Sequence, residues 1–280
     1  MKLYKLPEAT ILSYETKAYL GPEMNWDLLL AQENLGEYLH VLQKNWKEIS
    51  LEEADELIKR GVMAPMGNQE VWAAGVTYYR SRTARMEESE DSGGATFYDK
   101  VYNADRPELF FKATASRVVA PGGIVNIRKD STWDVPEPEL TLVISPRGKI
   151  QGFTCGNDMS SRSIEGENPL YLPQAKTYEG CAAIGPCILI QDELPEDTKI
   201  NLEVHRGGAV AASGETDLTQ LKRKPQELAD WLYRANTFPI GCLMMTGTGI
   251  VPDGFTLVEG DQIKISIVGI GVLENGVGRI

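Results

Sequence analysis

The stretch Trp133-Asp-Val-Pro-Glu-Pro-Glu-Leu140 decides how this part of the chain can fold, because it fixes two acids on extended backbone. Glu137 and Glu139 are two residues apart, so in an extended strand both carboxylates project from the same face. Pro138 between them restricts its own φ and donates no hydrogen bond to a neighbouring strand. The stretch therefore predicts a strand that carries two like charges side by side.

A third acid, Asp158, follows in the stretch Gly152-Phe-Thr-Cys-Gly-Asn-Asp-Met-Ser-Ser-Arg162. Two carboxylates held as close as Glu137 and Glu139 need a cation to offset their repulsion. A set of three carboxylates suits a hard ion that keeps positions open for water or substrate, whereas zinc is expected to take histidine or cysteine. We therefore predict a Mg²⁺ site at Glu137, Glu139 and Asp158, with Mn²⁺ or Ca²⁺ as alternatives.

Length and charge narrow the class of partner. With 280 residues the chain can bury a sizeable core. Its 28 basic and 40 acidic residues give a net charge of −12, which argues against nucleic acid or an anionic membrane as a partner. No apolar run approaches the roughly eighteen residues that span a bilayer, and the first residues lack a signal-peptide core. We expect a cytoplasmic protein that acts on a small molecule.

The few cysteines and histidines weigh against nucleophilic catalysis. The cysteines show no C-x-x-C spacing and stand in apolar or glycine-containing surroundings, so we predict four buried thiols: Cys155, Cys181, Cys187 and Cys242. The histidines are His40, in a predicted helix, and His205, in a predicted strand. Neither belongs to a motif, so a Ser-His-Asp triad or a Cys-His pair is not favoured.

The N-terminal residues resemble a separate small unit. We predict a small N-terminal α+β domain over residues 1–66 and a second domain over residues 67–280. The elements predicted in the first are strands at Lys2–Leu6 and within Ala9–Leu20, a helix from about Asp27 to Trp46, and a helix at Leu51–Lys59. The last of these is marked by a capping box at Ser50–Glu53 and by Gly61 as the stop.

Strand-like segments dominate the second domain. They are Val71–Val76, Leu109–Lys112, Leu140–Ile144, Ile150–Thr154, Cys187–Ile190, Ile200–Val204 and Gln262–Val268. Between them we predict only two helices, at about Tyr79–Glu90 and Pro225–Ala235. A regular β-α-β alternation is missing, and neither a dinucleotide-binding nor a P-loop motif occurs. The fold class we predict is α+β, mainly β, with a mixed core.

Several motifs together resemble the fumarylacetoacetate hydrolase superfamily. They are Gly75-Val-Thr-Tyr78, Pro107-Glu-Leu-Phe-Phe-Lys112, Glu137-Pro-Glu-Leu140, Asn157-Asp-Met-Ser-Ser-Arg162, Lys176, Gly185-Pro186, Thr246-Gly-Thr248 and Gly260-Asp261. The resemblance implies a mixed β-roll core in a catalytic domain over residues 67–280. It also implies a divalent ion bound by Glu137, Glu139 and Asp158, with Lys176 facing the substrate's charged end. A homodimer or homotetramer is implied as well.

Two longer stretches resemble one branch of that superfamily, which dehydrates 2-keto-3-deoxy-D-arabinonate. They are residues 98–114 and Glu167-Asn-Pro-Leu-Tyr-Leu-Pro-Gln-Ala-Lys176. The C–C hydrolases of the superfamily carry a histidine soon after the first motif, but here that segment reads Gly75-Val-Thr-Tyr-Tyr-Arg-Ser-Arg82. A reaction that expels water needs no activated water nucleophile. The missing histidine therefore favours a lyase over a hydrolase.

The resemblance and the chemistry together suggest roles for the remaining residues. We predict that Glu108 or Lys176 moves the proton. The residues predicted to hold carboxylate or hydroxyl groups of the substrate are Lys112, Arg162, Thr248 and the Gly247 amide. The function predicted is a metal-dependent dehydratase that converts a 2-keto-3-deoxy-pentonate to 2,5-dioxopentanoate. The alternatives are a C–C hydrolase, decarboxylase or isomerase of an acylpyruvate or diketo acid, and a metal-binding protein without turnover.

Overall fold

The computed structural model of the protein describes residues 1–80 and 100–280 and is mainly β. Its strands are β1 (Lys2–Lys5), β2 (Ala9–Ser13), β3 (Ala18–Pro22), β4 (Lys47–Ile49), β5 (Glu70–Gly75), β6 (Glu108–Ala113), β7 (Val118–Val119), β8 (Ile124–Ile127), β9 (Asp134–Val135), β10 (Pro138–Ile144), β11 (Ile150–Asp158), β12 (Ser160–Ser161), β13 (Ala182–Leu189), β14 (Lys199–Arg206), β15 (Ala209–Asp217), β16 (Cys242–Met245), β17 (Gln262–Ile267) and β18 (Gly271–Arg279). The α-helices are α1 (Trp26–Leu30), α2 (Leu35–Leu42), α3 (Leu51–Gly61), α4 (Arg162–Glu167), α5 (Leu172–Lys176) and α6 (Pro225–Tyr233). Single 3₁₀ turns lie at Gln43–Asn45, Ala115–Arg117, Pro169–Tyr171 and Leu218–Gln220.

The largest sheet runs through the middle of the molecule in the order β4-β3-β2-β1-β13-β11-β10-β16-β5-β6, with β7 paired to β13. Its central strands β10 and β11 form an antiparallel hairpin, and every residue of both strands is buried. A strand covered on both faces needs apolar residues in continuous runs rather than in alternation, as Leu140–Ile144 shows. This hairpin is the rigid support on which the predicted acids stand.

A second sheet, in the order β15-β14-β17-β18-β8, packs its apolar face against the first. Ile200, Leu202 and Val204 of β14 are buried and alternate with more exposed residues, as the period of two in the sequence predicts. Strand β17 behaves in the same way. The sequence prediction of a mixed, mainly β fold is confirmed, and all seven predicted strands of the second domain are present.

The N-terminal strands β1 to β4 extend the large sheet through pairing of β1 with β13, in which Lys2 is opposite Leu189. They also enclose small apolar clusters with α1, α2 and α3. The predicted N-cap is present, since Ser50 Oγ accepts from the Glu53 amide at 3.1 Å, while the Glu53 carboxylate pairs with Lys47. The division at residue 66 stays a prediction.

The long helix predicted from Asp27 to Trp46 is interrupted. Helix α1 ends at Leu30 and α2 begins at Leu35, whose amide donates to Gln151 Oε1 of β11 at 2.8 Å. A distant glutamine therefore satisfies an amide of the first turn, which local sequence could not reveal. Most of the helix predicted at 79–90 lies outside the described residues. None of the helices within the described ranges is long and apolar enough to cross a bilayer.

Candidate active site with a carboxylate triad

The β10–β11 hairpin brings the three predicted acids together. Glu139 is opposite Gly156 and Pro138 is opposite Asn157, so Asp158 at the end of β11 lies next to Glu137. One carboxylate oxygen from each acid lies within 4.8 Å of the other two, and all three side chains are buried. The hairpin thus turns nineteen residues of sequence separation into direct proximity. Three like charges gathered in a dry site need cations nearby.

Two buried lysines provide part of that charge. Lys176, the last residue of α5, donates to Glu137 Oε2 at 2.6 Å and to Asp158 Oδ2 at 2.9 Å, and it also contacts Ser160 Oγ. Lys112 of β6 lies 2.5 Å from Asp158 Oδ1. The two oxygens of Asp158 therefore face two different lysines.

Arg162 closes the side of the site next to Glu137. It begins α4, which Ser161 caps, and its Nη1 donates to Glu137 Oε1 at 3.1 Å. Its Nε lies 3.7 Å from Glu165 Oε2, and its guanidinium is 5.9 Å from the ring centre of Trp133. Arg162 was predicted to bind substrate, and the structure places it at the cavity wall with Glu137 as a direct partner.

Glu139 is held differently, by the backbone of the loop after β16. The Gly247 amide donates to Glu139 Oε2 at 2.6 Å. Burial first, and then the charges of Asp158 and Glu137, raise the pKa of the Glu139 carboxyl well above its ordinary value. An added cation would therefore favour the charged form of Glu139.

The loop that supplies this amide interlocks with the end of β5. Gly247 has φ +93°, and a Cβ there would lie 2.0 Å from Thr77 Oγ1, which donates to the Thr246 carbonyl at 2.6 Å. Val76, just before, has φ +53°, a conformation that costs a β-branched residue energy. This strained turn lies at the cavity wall, where strained backbone is often found because the site depends on it.

The donor set fits a hard divalent cation. The three acids offer only oxygen atoms, converge within 4.8 Å, and leave Glu139 with a raised pKa. Magnesium, manganese and calcium prefer such oxygen ligands. No cysteine or histidine belongs to this group in the described residues, so the set does not match a typical zinc site.

A cavity opens above the triad, and most of the predicted site residues line it. In addition to the three acids these are Arg162, Lys176, Gly247 and Thr248. Lys112 and Glu108 are not at its wall. Lys112 is fully buried behind Asp158, and the Glu108 carboxylate packs on Gly75, which does line the cavity.

Sequence reasoning missed Phe110, Val76 and Ser160. The first two line the cavity, and Ser160 contacts the Lys176 amine. Phe110 could have been found, because it alternates with Glu108 and Lys112 on one face of β6. Its ring centre lies 5.6 Å from Lys176 Nζ. Nothing in the local sequence marked Val76 or Ser160.

Both histidines of the chain lie outside this cavity. His40 is on α2, where Nδ1 is 3.1 Å from Gln43 Nε2, and His205 is on β14 with Nε2 2.9 Å from Glu203. The four cysteines are buried free thiols, as predicted. The described part of the site therefore offers carboxylates and amines for proton transfer, not imidazole.

The chain is similar in sequence to known proteins. The sequence profile of the fumarylacetoacetate (FAA) hydrolase C-terminal family matches residues 76–278. A probable 2-keto-3-deoxyxylonate dehydratase of Haloferax volcanii is 48% identical over 229 residues, which cover 81% of this chain and 78% of the relative. A 2-dehydro-3-deoxy-D-arabinonate dehydratase of Saccharolobus solfataricus is 43% identical over 216 residues, covering 76% of this chain and 72% of the relative.

Solved structures show the same fold over the full chain. A hexagonal crystal form of 2-keto-3-deoxyarabinonate dehydratase superposes with a TM-score of 0.88 at 34% identity, covering 100% of this chain and 99% of the other. A 2-keto-3-deoxy-D-arabinonate dehydratase complexed with magnesium and 2,5-dioxopentanoate gives 0.86 at 33% identity, with the same coverage. With its profile match, its relatives and its fold in agreement, this chain belongs to the fumarylacetoacetate hydrolase family.

Proposed function

We propose that this protein is a Mg²⁺-dependent dehydratase that converts a 2-keto-3-deoxy-pentonate, such as 2-keto-3-deoxy-D-arabinonate, to 2,5-dioxopentanoate. The observation that carries the proposal is the buried triad of Glu137, Glu139 and Asp158 with the Lys176 amine bonded to two of its members. The dehydratases at 48% and 43% identity support it. The relative complexed with magnesium and 2,5-dioxopentanoate supports the choice of ion and product.

Glu137, Glu139 and Asp158 would hold the cation. When bound, a divalent ion supplies a Lewis acid that polarises the carbonyl of a 2-keto acid and so makes the protons at C3 acidic. The sequence also allows Mn²⁺ or Ca²⁺ at this site. If Mg²⁺ is the proper ion, turnover with Mg²⁺ should be faster than turnover with at least one of these two. Direct comparison of the three ions tests this choice.

The chain's own groups move the protons. Lys176 Nζ and the Glu108 carboxylate lie at or next to the cavity wall and are the candidates that take the proton from C3. Protonation of the hydroxyl at C4 lets it leave as water, with a double bond formed between C3 and C4. Loss of a proton from C5 and protonation at C3 then give an enol with its double bond between C4 and C5, and transfer of the enol's O–H proton to C4 gives the aldehyde at C5. The sum is the loss of one water and no change of oxidation state overall.

The remaining polar groups orient the substrate. Arg162 lies at the cavity wall beside Glu137, where a guanidinium can bind the substrate's carboxylate in two contacts. Thr248 lies at the same wall and carries a hydroxyl for a substrate oxygen. Gly247 also lines the cavity, but its amide is already bonded to Glu139. Its contribution is therefore to hold Glu139 rather than to bind substrate.

The upstream sugar does not alter this proposal. D-arabinonate and D-xylonate differ only at C2 and C3, and formation of the 2-keto-3-deoxy acid removes both stereocentres. The two relatives named after these sugar acids can thus act on one compound. The site of this chain would accept it from either source.

The test is direct. Purified protein loaded with Mg²⁺ is incubated with 2-keto-3-deoxy-D-arabinonate, and 2,5-dioxopentanoate is measured as the aldehyde. An acylpyruvate is offered in parallel, because the related C–C hydrolases cleave such compounds. Cleavage of the acylpyruvate without any aldehyde from the sugar acid would replace the dehydratase by a hydrolase. Binding of Mg²⁺ without turnover of either compound would leave a non-catalytic metal-binding protein.

A further inference from the structure

Lys112 is a predicted substrate-binding residue that does not line the cavity. It is fully buried near the C-terminal end of β6, on the same face of the strand as Glu108 and Phe110. A protonated lysine amine has three N–H donors and no acceptor. The atoms around the amine therefore decide whether it can bind substrate.

The nearest partners of the amine are protein oxygens. Lys112 Nζ donates to the Met159 carbonyl at 2.9 Å and to the carbonyl of Lys176, and it lies 2.5 Å from Asp158 Oδ1. The ring of Tyr178 covers another side, with its centre 5.8 Å from Nζ. The amine is therefore surrounded by two carbonyls, a carboxylate and a ring, and Lys112 does not line the cavity in which the substrate would lie.

These partners belong to two separate segments of the site. Asp158, a proposed metal ligand, ends β11 and is followed by Met159, while Lys176, a proposed proton carrier, ends α5. The last carbonyls of a helix have no partner within the helix and favour a nearby cation. One ammonium thereby joins the end of α5 to the end of β11.

The backbone of Lys112 strengthens the same connection. Thr177 Oγ1 donates to the Lys112 carbonyl at 3.2 Å, and Cys181 Sγ lies 3.7 Å from it. Thr177 follows directly after α5, and Cys181 directly precedes β13. The strand and the helix are thus tied together from both the side chain and the main chain of one residue.

We propose that Lys112 is a positioning residue, which sets the distance between Asp158 and the Lys176 amine and does not contact substrate. The proposal replaces the substrate-binding role predicted for Lys112 from sequence. It rests on the proposed function only for the tasks of Asp158 and Lys176. The geometry it describes can be tested without turnover.

A role of Lys112 as a positive charge and a role as a positioning residue predict opposite effects on metal binding. If Lys112 acted only as a positive charge, its removal would strengthen the binding of a cation to the triad, because one repulsive charge is gone. If Lys112 positions Asp158, its removal weakens binding, since loss of a group that orients a ligand typically costs about 10- to 100-fold in affinity.

The variants are Lys112→Met, which keeps the chain length, and Lys112→Arg, which keeps the charge and the donors. Lys264→Met is the matched control, because Lys264 of β17 pairs with Glu274 of β18 through exposed side chains far from the triad. Mn²⁺ affinity is measured by electron paramagnetic resonance without substrate. Pyruvate affinity, kcat and KM are then measured at saturating Mn²⁺.

We expect Mn²⁺ binding to weaken about 10- to 100-fold in Lys112→Met and to recover in part in Lys112→Arg. At saturating metal, kcat falls while KM and pyruvate affinity stay within about threefold, because no substrate contact is lost. Unchanged or tighter Mn²⁺ binding in folded Lys112→Met would overturn the proposal. So would a large loss of pyruvate affinity with normal metal binding.

A crystal structure of the wild-type protein with Mg²⁺ and pyruvate answers the question if both variants fail to fold. Nζ of Lys112 kept on the carbonyls of Met159 and Lys176 supports the proposal, and Nζ within hydrogen-bond distance of pyruvate refutes it. Failure of the dehydratase assay would refute the proposed function alone. The Mn²⁺ titration would still decide the role of Lys112.

Discussion

Gly75 and Glu108 are cross-strand partners in β5 and β6, and the carboxylate of Glu108 lies directly on the backbone of Gly75. A Cβ added to Gly75 would meet Glu108 Oε2 at 2.1 Å. Any side chain at position 75 would therefore push the carboxylate from its place. Because Gly75 lines the cavity, the absence of a side chain there lets a proposed proton carrier lie close to the substrate.

The variant Gly75→Ala should fold and lose activity. The atoms that would clash are the flexible end of Glu108, which can turn away, so stability changes little. Displacing a general acid or base costs about 10²- to 10⁴-fold in kcat, and we expect Gly75→Ala to approach Glu108→Gln in that loss. Gly61→Ala is the control, since the nearest atom to its Cβ would be 3.8 Å away. Full activity in Gly75→Ala would exclude Glu108 as the proton carrier.

Exchange of Glu139 for glutamine should separate stability from metal binding. Burial and the charges of Asp158 and Glu137 raise the pKa of Glu139, so a neutral side chain relieves repulsion in the metal-free protein. We expect metal-free Glu139→Gln to unfold at a temperature at least as high as wild type. Added Mg²⁺ should raise that temperature only in wild type, because ligand binding stabilises the folded state. Calorimetry with and without Mg²⁺ tests both statements.

Glu137→Gln provides the contrasting case. Glu137 accepts from Arg162 and Lys176, and removing one partner of a buried ion pair costs about 3–5 kcal/mol. The metal-free variant should therefore be less stable than wild type in urea unfolding, unlike Glu139→Gln. Both variants should lose turnover. Equal stability of the two metal-free variants would contradict the different partners described for these acids.

A pH-dependent loss of stability is expected from Asp134. Burial raises the pKa of its carboxyl above its ordinary value of 3.8, so the folded protein holds this proton more tightly than the unfolded chain. As pH rises above that value the unfolded chain ionises first, and the folded state loses stability until its own carboxyl is ionised. Asp134→Asn removes this effect. Urea unfolding near pH 4 and about pH 7 should show the variant gaining on wild type at the higher pH.

The four thiols should resist modification in the native protein. All are buried, and burial raises the pKa of Cys187 to about 11. A buried thiol that stays protonated is a poor nucleophile. We expect a thiol reagent to label none of them within minutes at neutral pH and all of them in denaturant. Rapid labelling of one native cysteine would place that residue on an opening segment.

The sequence predicted the supporting strands because each carries a local pattern. The alternation of Ile200, Leu202 and Val204 and the continuous apolar run Leu140–Ile144 are readable without partners. The break between α1 and α2 was not readable, because Gln151 of β11 satisfies the Leu35 amide from 116 residues away. Long-range hydrogen bonds decide such ends, and they leave no mark in the helix itself.

The site divides in the same way. The two acids of Glu137-Pro-Glu139 are adjacent by strand geometry, Asp158 was predicted to join them as a third acid, and a family resemblance supplied Lys176. The sequence could not show that the Lys112 amine faces the carbonyls of Met159 and Lys176 rather than the cavity. That distinction depends on which direction a buried side chain takes. Tertiary packing sets that direction, and the local sequence does not show it.

The pairing of β1 with β13 imposes an order on the folding of the protein during its synthesis. Lys2 lies opposite Leu189, so during synthesis β1 waits for its partner strand until β13, which lies far along the sequence, has been made. Until then the edge of β1 is open to pairing with other chains. A ribosome-associated holding factor, or rapid translation as far as β13, would shorten that exposure.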